Sequence, residues 1–346
     1  MSTKLSTRII PVIALLTSLG AHAQQYTVTN LNAVDPNFPG VSVAGINASG
    51  QVTGGFGTSG TSAHAFLYSN GTMQDLGTLG GTYSSGAGVN ASGQVTGASW
   101  NTSLYNHAFL YSNGTMQDLG TLGGTSSWGA GINASGQVTG WSYTSSGATH
   151  AFVYTNGTMQ DIGTLGGTNS TASGINDSGQ VTGWSPPTTG GNHAFLYTNG
   201  AMQDLGTLGG RDSYAYGINA SGAVTGWSET SNGNVDAFLY SNGTMQDLGS
   251  LGGTVTYGWA INDLGQVTGM SSTVSDGGHA FLYSNGTMVD LNTLIGSAAS
   301  VYTLWYGVAI NNSGQILAEG YLIGTGEVAV LLTPTSNSVA SQVTRR

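Results

Sequence analysis

The chain has 346 residues, of which 58 are glycine, and only 6% are charged: 5 Lys or Arg against 15 Asp or Glu, a formal net charge of −10. So few basic residues argue against binding to a phosphate backbone, and therefore against nucleic-acid binding. Because there is no cysteine, disulfides, iron–sulfur clusters, cysteine-ligated zinc and thiol nucleophiles are excluded.

Residues 1–23 have the pattern of a secretory signal peptide. Lys4 and Arg8 come first, an apolar stretch over 9–19 follows, and Ala-His-Ala before Gln24 supplies a cleavage site of the A-x-A type. The apolar stretch is shorter than the ~20 residues that cross a bilayer. The sequence therefore predicts an exported chain, with the extracellular space, the periplasm and the cell surface as destinations and no transmembrane segment after cleavage.

A repeat of 43 residues occupies the rest of the chain. The tripeptide His-Ala-Phe starts at His64 and recurs at this interval, with Asp236 in place of histidine in the fifth copy. The asparagine of Gly-Ile-Asn follows the same period from Asn47, and Asn311 comes last after an interval of 49. Six close copies and a divergent seventh are typical of a repeat architecture.

Each copy predicts four short β-strands. In the third copy these cover 128–133, 137–142, 150–155 and 158–163, and no stretch has the apolar spacing of a helix. Asn156 and the glycine after it separate the last two strands, and Asn-Gly is the strongest signal for a two-residue hairpin because its type I′ turn needs positive φ twice.

Four antiparallel strands per repeat indicate a seven-bladed β-propeller. Residues 26–31 match only a fourth strand and residues 327–333 only a third, so the N-terminal strand is expected to complete the last blade and close the ring. An elongated β-solenoid is the alternative, although a solenoid has no use for complementary incomplete ends. We expect a single propeller over 24–333 and a disordered tail over 334–346. The expected blades are 41–78, 84–121, 127–164, 170–207, 213–250, 256–293, and 303–333 together with 26–31.

The recurring segments H-A-F-L-Y-S-N-G-T-M-Q-D-L-G-T-L-G-G and G-I-N-A-S-G-Q-V-T-G resemble the HAF family of probable extracellular repeats found in bacteria. The resemblance covers 41–293 closely and the last copy loosely. It implies export and repetition, and it implies no general catalytic activity or ligand. Some members of that family end in a sorting or autotransporter segment, which residues 334–346 do not show.

Histidine and aspartate recur as pairs in five copies. In the hairpin register Phe66 lies opposite Asp75, which places His64 diagonally from Asp75 on one face. One interpretation is a catalytic or metal-binding dyad, and the other, which we favour, is a hydrogen bond within each blade, because five equivalent pairs cannot converge on one substrate. The pairs are His64/Asp75, His107/Asp118, His150/Asp161, His193/Asp204 and His279/Asp290.

Two turns, at Asn176-Asp177 and Asn262-Asp263, faintly resemble calcium loops. A calcium site needs several converging oxygens, whereas most copies read Asn-Ala-Ser-Gly and contain no carboxylate there. We therefore predict tight turns and no cofactor, with calcium as the weaker alternative.

The connections that vary between copies carry Trp and Tyr among Asn, Ser and Thr. This composition suits a glycan, because aromatic rings cover the CH faces of sugars while amides and hydroxyls bond to their hydroxyl groups; an extracellular protein is the other partner considered. Alternatively, the rings fill gaps between blades and the loops vary because they are solvated. The candidate ligand-binding residues are Trp100, Trp128, Tyr143, Tyr214, Tyr216, Tyr257, Trp259, Trp305 and Arg211.

Arg211 is the only basic residue inside the predicted propeller. It either orients an acidic sugar or forms a surface salt bridge with a neighbouring acid, which is the favoured interpretation. A glycoside hydrolase or lyase would need two nearby carboxylates, for which Asp212, Glu229 and Asp236 are the candidates. The sequence thus favours a non-catalytic binding module, with a structural matrix or surface protein as the alternative and an enzyme as the least favoured.

Overall fold

A computed structural model of the protein describes residues 25–58, 62–274 and 277–335. The predicted signal peptide, and the predicted tail from residue 336 onward, lie outside the described residues. Within them the chain is built from β-strands joined by turns, with short 3₁₀ helices at Leu31–Ala33, Leu291–Thr293 and Gly296–Ser300.

The strands of the described residues form seven four-stranded antiparallel units, numbered here as sheets 1 to 7 in chain order. Sheets 1 and 2, and likewise sheets 5 and 6, are also joined by one parallel residue pair, Ala63–Tyr83 and Val235–Val255 respectively. Sheet 1 contains β2 (Ser42–Ile46), β3 (Val52–Gly57), β4 (Ala63–Ser69) and β5 (Thr72–Asp75), and sheet 2 contains β6 (Gly80–Val89), β7 (Val95–Asn101), β8 (Asn106–Ser112) and β9 (Thr115–Asp118). Sheet 3 contains β10 (Gly123–Ile132), β11 (Val138–Thr144), β12 (Thr149–Thr155) and β13 (Thr158–Asp161), and sheet 4 contains β14 (Thr171–Ile175), β15 (Val181–Ser185), β16 (His193–Thr198) and β17 (Ala201–Asp204). Sheet 5 contains β18 (Gly209–Ile218), β19 (Val224–Thr230), β20 (Val235–Ser241) and β21 (Thr244–Asp247), and sheet 6 contains β22 (Gly252–Ile261), β23 (Val267–Thr273), β24 (Gly278–Ser284) and β25 (Thr287–Asp290). Sheet 7 contains β26 (Tyr302–Ile310), β27 (Ile316–Leu322), β28 (Gly326–Pro334) and β1 (Tyr26–Asn30).

The N-terminal strand completes sheet 7, as the sequence predicts. β1 pairs antiparallel with β28, from Tyr26 opposite Pro334 to Asn30 opposite Val330. The predicted start of a disordered tail at residue 334 is wrong, because Pro334 is still in the strand and the Thr335 N–H donates to the Gln25 carbonyl at 2.8 Å.

The predicted Asn-Gly hairpins are confirmed. Asn156 has φ of 51° and Gly157 has φ of 82°, and the equivalent Asn-Gly pairs of the other copies have the same signs. Two consecutive positive φ values define the type I′ turn, whose twist matches that of the flanking strands.

The hydrophobic core lies between neighbouring sheets. One cluster joins Ala108 and Leu119 of sheet 2 to Val138 and Phe152 of sheet 3. The last cluster packs residues of sheet 7, including Leu317, against sheet 1. The phenylalanine of the His-Ala-Phe strand is fully buried in each of the six close copies: Phe66, Phe109, Phe152, Phe195, Phe238 and Phe281.

A closed ring of buried asparagines joins the ends of the innermost strands. The Asn47 side chain donates to the Asn90 carbonyl at 2.8 Å, and each further asparagine donates to the next at 3.0–3.2 Å. Asn311 donates back to the Asn47 carbonyl at 3.0 Å. An elongated solenoid would have no such closing bond. The members of this asparagine ring are Asn47, Asn90, Asn133, Asn176, Asn219, Asn262 and Asn311.

We expect Asn133→Ala to lower the free energy of unfolding by about 1–3 kcal/mol, since it removes the donor to a buried carbonyl. The Asn133 amide donates to the Asn176 carbonyl at 3.1 Å and its oxygen accepts the Gln137 N–H at 3.0 Å. Urea unfolding followed by circular dichroism measures the change. Thr158→Ala, at an exposed hairpin position of the same sheet, is the control, and equal midpoints for the two variants would contradict the role of the ring.

Candidate functional site

A central cavity of about 600 Å³ runs between the innermost strands. Aliphatic residues such as Ile218 line it next to the asparagine ring, and Trp128, Trp141, Tyr216 and Trp259 line it as well. The cavity thus has aliphatic residues next to the asparagine ring and aromatic residues toward the opposite end.

The aromatic end is built from seven cross-strand pairs, one in each sheet, which we call the rim pairs. In each pair a residue of the innermost strand lies opposite a residue of the second strand. In sheet 3 these strands approach so closely that a side chain at Gly140 would collide with the Trp128 carbonyl, which requires glycine there. From sheet 1 to sheet 7 the rim pairs are Ser42/Gly55, Ser85/Ala98, Trp128/Trp141, Thr171/Trp184, Tyr214/Trp227, Tyr257/Met270 and Tyr306/Glu319.

Aromatic rim residues of sheets 4 to 7 contact one another in an unbroken series, together with aromatic neighbours. At its centre Tyr214 stacks on Trp227 with ring centroids 4.5 Å apart and an interplanar angle of 20°. The ring centroids of Trp184 and Tyr214 are 5.2 Å apart, and those of Tyr257 and Trp227 are 5.9 Å apart. Each of these two contacts joins neighbouring sheets. We call the whole series the aromatic arc; it consists of Trp184, Tyr214, Trp227, Tyr257, Trp259, Tyr306, Trp305 and Tyr321.

The structure brings together five of the aromatic residues that the sequence singled out. Tyr214, Tyr257, Trp259 and Trp305 belong to the arc, and Tyr216 joins it by accepting a hydrogen bond from the Trp227 indole N–H at 3.2 Å.

The remaining three predicted aromatic residues lie outside the arc. Trp100 contacts Tyr83 at 5.8 Å, Tyr143 contacts Trp141 at 5.5 Å, and Trp128 lines the central cavity. The predicted aromatic set therefore divides into an arc over sheets 4 to 7 and separate residues on sheets 2 and 3.

Three tryptophans of this region were missed by sequence reasoning: Trp141, Trp184 and Trp227. They occupy the second-strand rim position. Because the repeat motif has tryptophan at this position, the position resembles one that does not vary between copies. Aligning all seven copies at this position shows instead Gly, Ala, Trp, Trp, Trp, Met and Glu, and this variation was the available signal.

The hydroxyl groups of Tyr214 and Tyr216 keep their protons at neutral pH. Burial raises the pKa of both, opposed at Tyr214 by the hydrogen bond that Asn192 donates and at Tyr216 by the one from Trp227. The negative charges of Asp212 and Glu229 raise the pKa of Tyr214 further. Each phenol therefore accepts one hydrogen bond from the protein and retains a proton to donate.

The expected salt bridge of Arg211 is not formed within the described residues. The Glu229 carboxylate accepts the Arg211 backbone N–H at 3.1 Å, and Asp212 accepts the Asn192 backbone N–H at 2.6 Å. Both acids are thus occupied by backbone donors, and the exposed guanidinium of Arg211 has no carboxylate within 4.0 Å in the described part of the chain.

The five predicted His–Asp pairs are hydrogen-bonded within their sheets. The His Nδ1 atom lies 2.6–2.9 Å from an aspartate oxygen in every pair. The same aspartate also accepts a backbone N–H in the following turn, as Asp161 does from Gly163 at 2.8 Å. The pairs lie one per sheet, so they connect strands and do not converge on a common point.

Sheet 5 has a carboxylate in place of this histidine. Asp236 is 8% exposed, and burial together with the charge of Asp247 raises its pKa.

The acidic turns join neighbouring sheets. Asp177 accepts the Ala134 N–H at 2.8 Å, and Asp263 accepts the Ala220 N–H at 2.8 Å. Over the described ranges no group of three or more His, Asp or Glu side chains has the arrangement of a metal site.

The chain matches no known family profile and no curated protein. Its fold is similar to those of solved propellers. The β-propeller domain of the Trilobed protease from Pyrococcus furiosus matches with a TM-score of 0.55 at 7% identity, covering 84% of this chain and 94% of that one. Puromycin hydrolase matches with a TM-score of 0.55 at 10% identity over 90% and 52%, and the acylaminoacyl peptidase from Pyrococcus horikoshii with 0.52 at 8% over 89% and 52%.

This chain thus spans about half the length of the last two proteins. The likeness confirms the predicted all-β propeller fold and carries no information on activity. No helix in the described ranges is long and apolar enough to cross a membrane.

We expect Asp236→His to raise the free energy of unfolding by about 1 kcal/mol, because it replaces facing carboxylates with the hydrogen-bonded pair of the other copies. Urea unfolding at neutral pH measures the gain. The converse change, His193→Asp, serves as the control and is expected to destabilise sheet 4. A gain from both substitutions, or from neither, would contradict the structural role of the pair.

Asp236 is expected to lower the stability of the folded protein at neutral pH and not in acid. Because folding raises the pKa of Asp236, its ionised form destabilises the native state, and this cost appears as the pH rises through the raised pKa. Asp236→Asn is therefore expected to be more stable than the wild type at neutral pH, and the difference should shrink on acidification. A difference that grows in acid would contradict this assignment.

Proposed function

We propose that the protein is an exported, non-catalytic binding module that resembles the HAF repeats and binds a glycan through the aromatic arc. The observation that carries the proposal is the unbroken series of ring contacts from Trp184 to Tyr321. Aromatic faces of this kind pack against the CH faces of sugars.

Polar groups beside the arc support a hydroxylated ligand. Tyr214 and Tyr216 supply phenol donors, and Asn192, whose amide already contacts Tyr214, supplies a side-chain oxygen. A site with large apolar faces and a few directed polar groups matches the general composition of ligand sites. Arg211 is exposed, has no carboxylate partner in the described residues and precedes Tyr214 by three residues, so we include it as the group that would contact an acidic substituent of the sugar.

Each of the acids considered for catalysis has a contact within the fold. Asp212 and Glu229 accept backbone N–H groups, while Asp236 lies against Asp247 on another strand pair. None of the three lines the central cavity. A glycosidase would instead require two carboxylates flanking one bond.

Replacing Tyr214 is expected to weaken glycan binding. A glycan array identifies the ligand, and titration then compares Tyr214→Ala with Tyr214→Phe. We expect at least a tenfold loss with alanine, because an aromatic contact contributes about 0.5–1.5 kcal/mol beyond the area it buries, and a smaller loss with phenylalanine, which retains the ring.

Tyr105→Ala is the matched control, since Tyr105 is an exposed aromatic residue in the loop between β7 and β8, outside the arc. An array that stays blank, or equal losses for Tyr105→Ala and Tyr214→Ala, would contradict glycan binding by the arc. Binding lost only on chelation of divalent ions would instead support the calcium alternative.

Export is tested by the processing site. In a bacterial host we expect the exported protein to begin at Gln24, as determined by N-terminal sequencing, because signal peptidases require a small residue before the cleaved bond. Ala23→Arg is expected to leave the precursor uncut, whereas Ser18→Ala should be processed normally. An uncut wild-type chain in the cytoplasm would contradict the proposed localisation.

A further inference from the structure

A second cavity, of about 310 Å³, lies between sheets 7 and 1. Two carboxylates, Glu319 and Glu327, line it together with Trp305 and Tyr306. Its size is at the lower end of the range for small-molecule sites, ~300–1,000 Å³.

The cavity lies where the aromatic part of the rim ends. In sheet 5 the second-strand rim position holds Trp227, which contacts Tyr257 of the next sheet. In sheet 7 the same position holds Glu319, and the facing rim residue of sheet 1 is the small Ser42. Both residues line the cavity. Space that a tryptophan and a tyrosine fill elsewhere is left open here, with a carboxylate on its wall.

Glu319 is held in place by the fold. Its Oε1 atom accepts the Val43 backbone N–H at 3.1 Å, while in the described part of the chain no hydrogen bond is assigned to Oε2. Burial raises the pKa of Glu319, the Val43 hydrogen bond opposes this and the charge of Glu327 adds to it. A cation in the cavity would supply the counter-charge that the protein does not provide.

Glu327 approaches Glu319 from the neighbouring strand. Glu319 pairs with Ala329 and Glu327 with Tyr321 in the antiparallel register of β27 and β28, so the two carboxylates are diagonal neighbours on one face. The only Lys or Arg in the described residues, Arg211, lies in sheet 5, so no cationic side chain of sheets 7 or 1 neutralises this pair.

Aromatic rings complete the wall of the cavity. Trp305 stacks on Tyr321 at 6.1 Å with an interplanar angle of 25°, and it meets Tyr306 edge-on at 6.4 Å. Carboxylates together with tryptophan and tyrosine rings favour a cation that carries apolar substituents, because the ring quadrupole and the negative charges attract the same group. A calcium ion would need six or more oxygens.

We propose that the cavity between sheets 7 and 1 binds an organic ammonium group, with Glu319 and Glu327 as its counter-charges and Trp305 as its aromatic face. The primary amine of an amino sugar and the quaternary amine of a choline headgroup share this chemistry. The proposal does not rest on glycan binding by the aromatic arc.

The test is a titration of the purified protein with glucosamine and, separately, with choline, followed by tryptophan fluorescence and calorimetry at constant ionic strength. N-acetylglucosamine and the neutral isostere of choline, in which carbon replaces nitrogen, are the matched uncharged ligands. We expect saturable binding of at least one ammonium ligand and about tenfold or more weaker binding of its neutral counterpart. Binding of glucosamine would identify an amino sugar as the source of the ammonium group, and binding of choline would identify a choline headgroup.

The variants separate charge from folding. Glu319→Gln keeps an acceptor for the Val43 N–H, and Glu327→Gln alters an exposed side chain; each is expected to weaken ammonium binding about tenfold. Glu229→Gln is the matched control, since Glu229 also accepts a backbone N–H, and Tyr105→Ala, which changes an exposed aromatic residue outside the arc and the cavity, should leave ammonium binding unchanged.

Three results would overturn the proposal. These are equal affinity for the charged and neutral ligands, wild-type affinity in both glutamine variants while circular dichroism shows them folded, and binding of calcium without binding of either ammonium ligand.

Discussion

The hydrogen bond that each ring asparagine donates to the next one is the contact on which the arrangement of the molecule depends. Within the ring, each asparagine donates one side-chain hydrogen bond and accepts one at its backbone carbonyl. Every donor and acceptor of the ring therefore has a partner only when Asn311 donates to the Asn47 carbonyl. This fixes the spacing of the innermost strands at one end of the central cavity. Since those strands continue to the other end, the same spacing determines which rim residues of neighbouring sheets come into contact.

The constant residues of the repeat serve this assembly. The Ser127 hydroxyl accepts the Ala108 N–H of the preceding sheet at 2.9 Å, and the Thr139 hydroxyl donates to the Phe152 carbonyl at 2.7 Å. The His–Asp pairs join the third and fourth strands in the same repeated manner. Because such groups are equivalent in many sheets, they do not define a single site. The binding proposed above therefore depends on positions at which the copies differ.

Local features could be predicted from the sequence, and contacts between sheets could not. Asn156-Gly157 and the diagonal pair His64/Asp75 follow from spacing along one hairpin, which explains why both predictions are confirmed. The stack of Tyr214 on Trp227 and their contacts with neighbouring sheets depend on how far the sheets are rotated and packed. Glu319 follows Asn311 by the same eight residues as Trp141 follows Asn133, so an alignment of the second strands would have shown its position, but not the cavity that it lines.

The rim is one-sided although the scaffold is repetitive. The rim residues are small in sheets 1 and 2, every pair from sheet 3 onward contains at least one aromatic residue, and Glu319 is acidic where the two parts meet. A symmetric rim would bind a ligand equally in any rotation about the central axis. For the binding proposed above, the change from small to aromatic side chains would remove that degeneracy, and the carboxylate at the boundary would give a bound molecule a preferred end. Differences among the copies at the rim positions therefore give a repetitive scaffold an asymmetric surface.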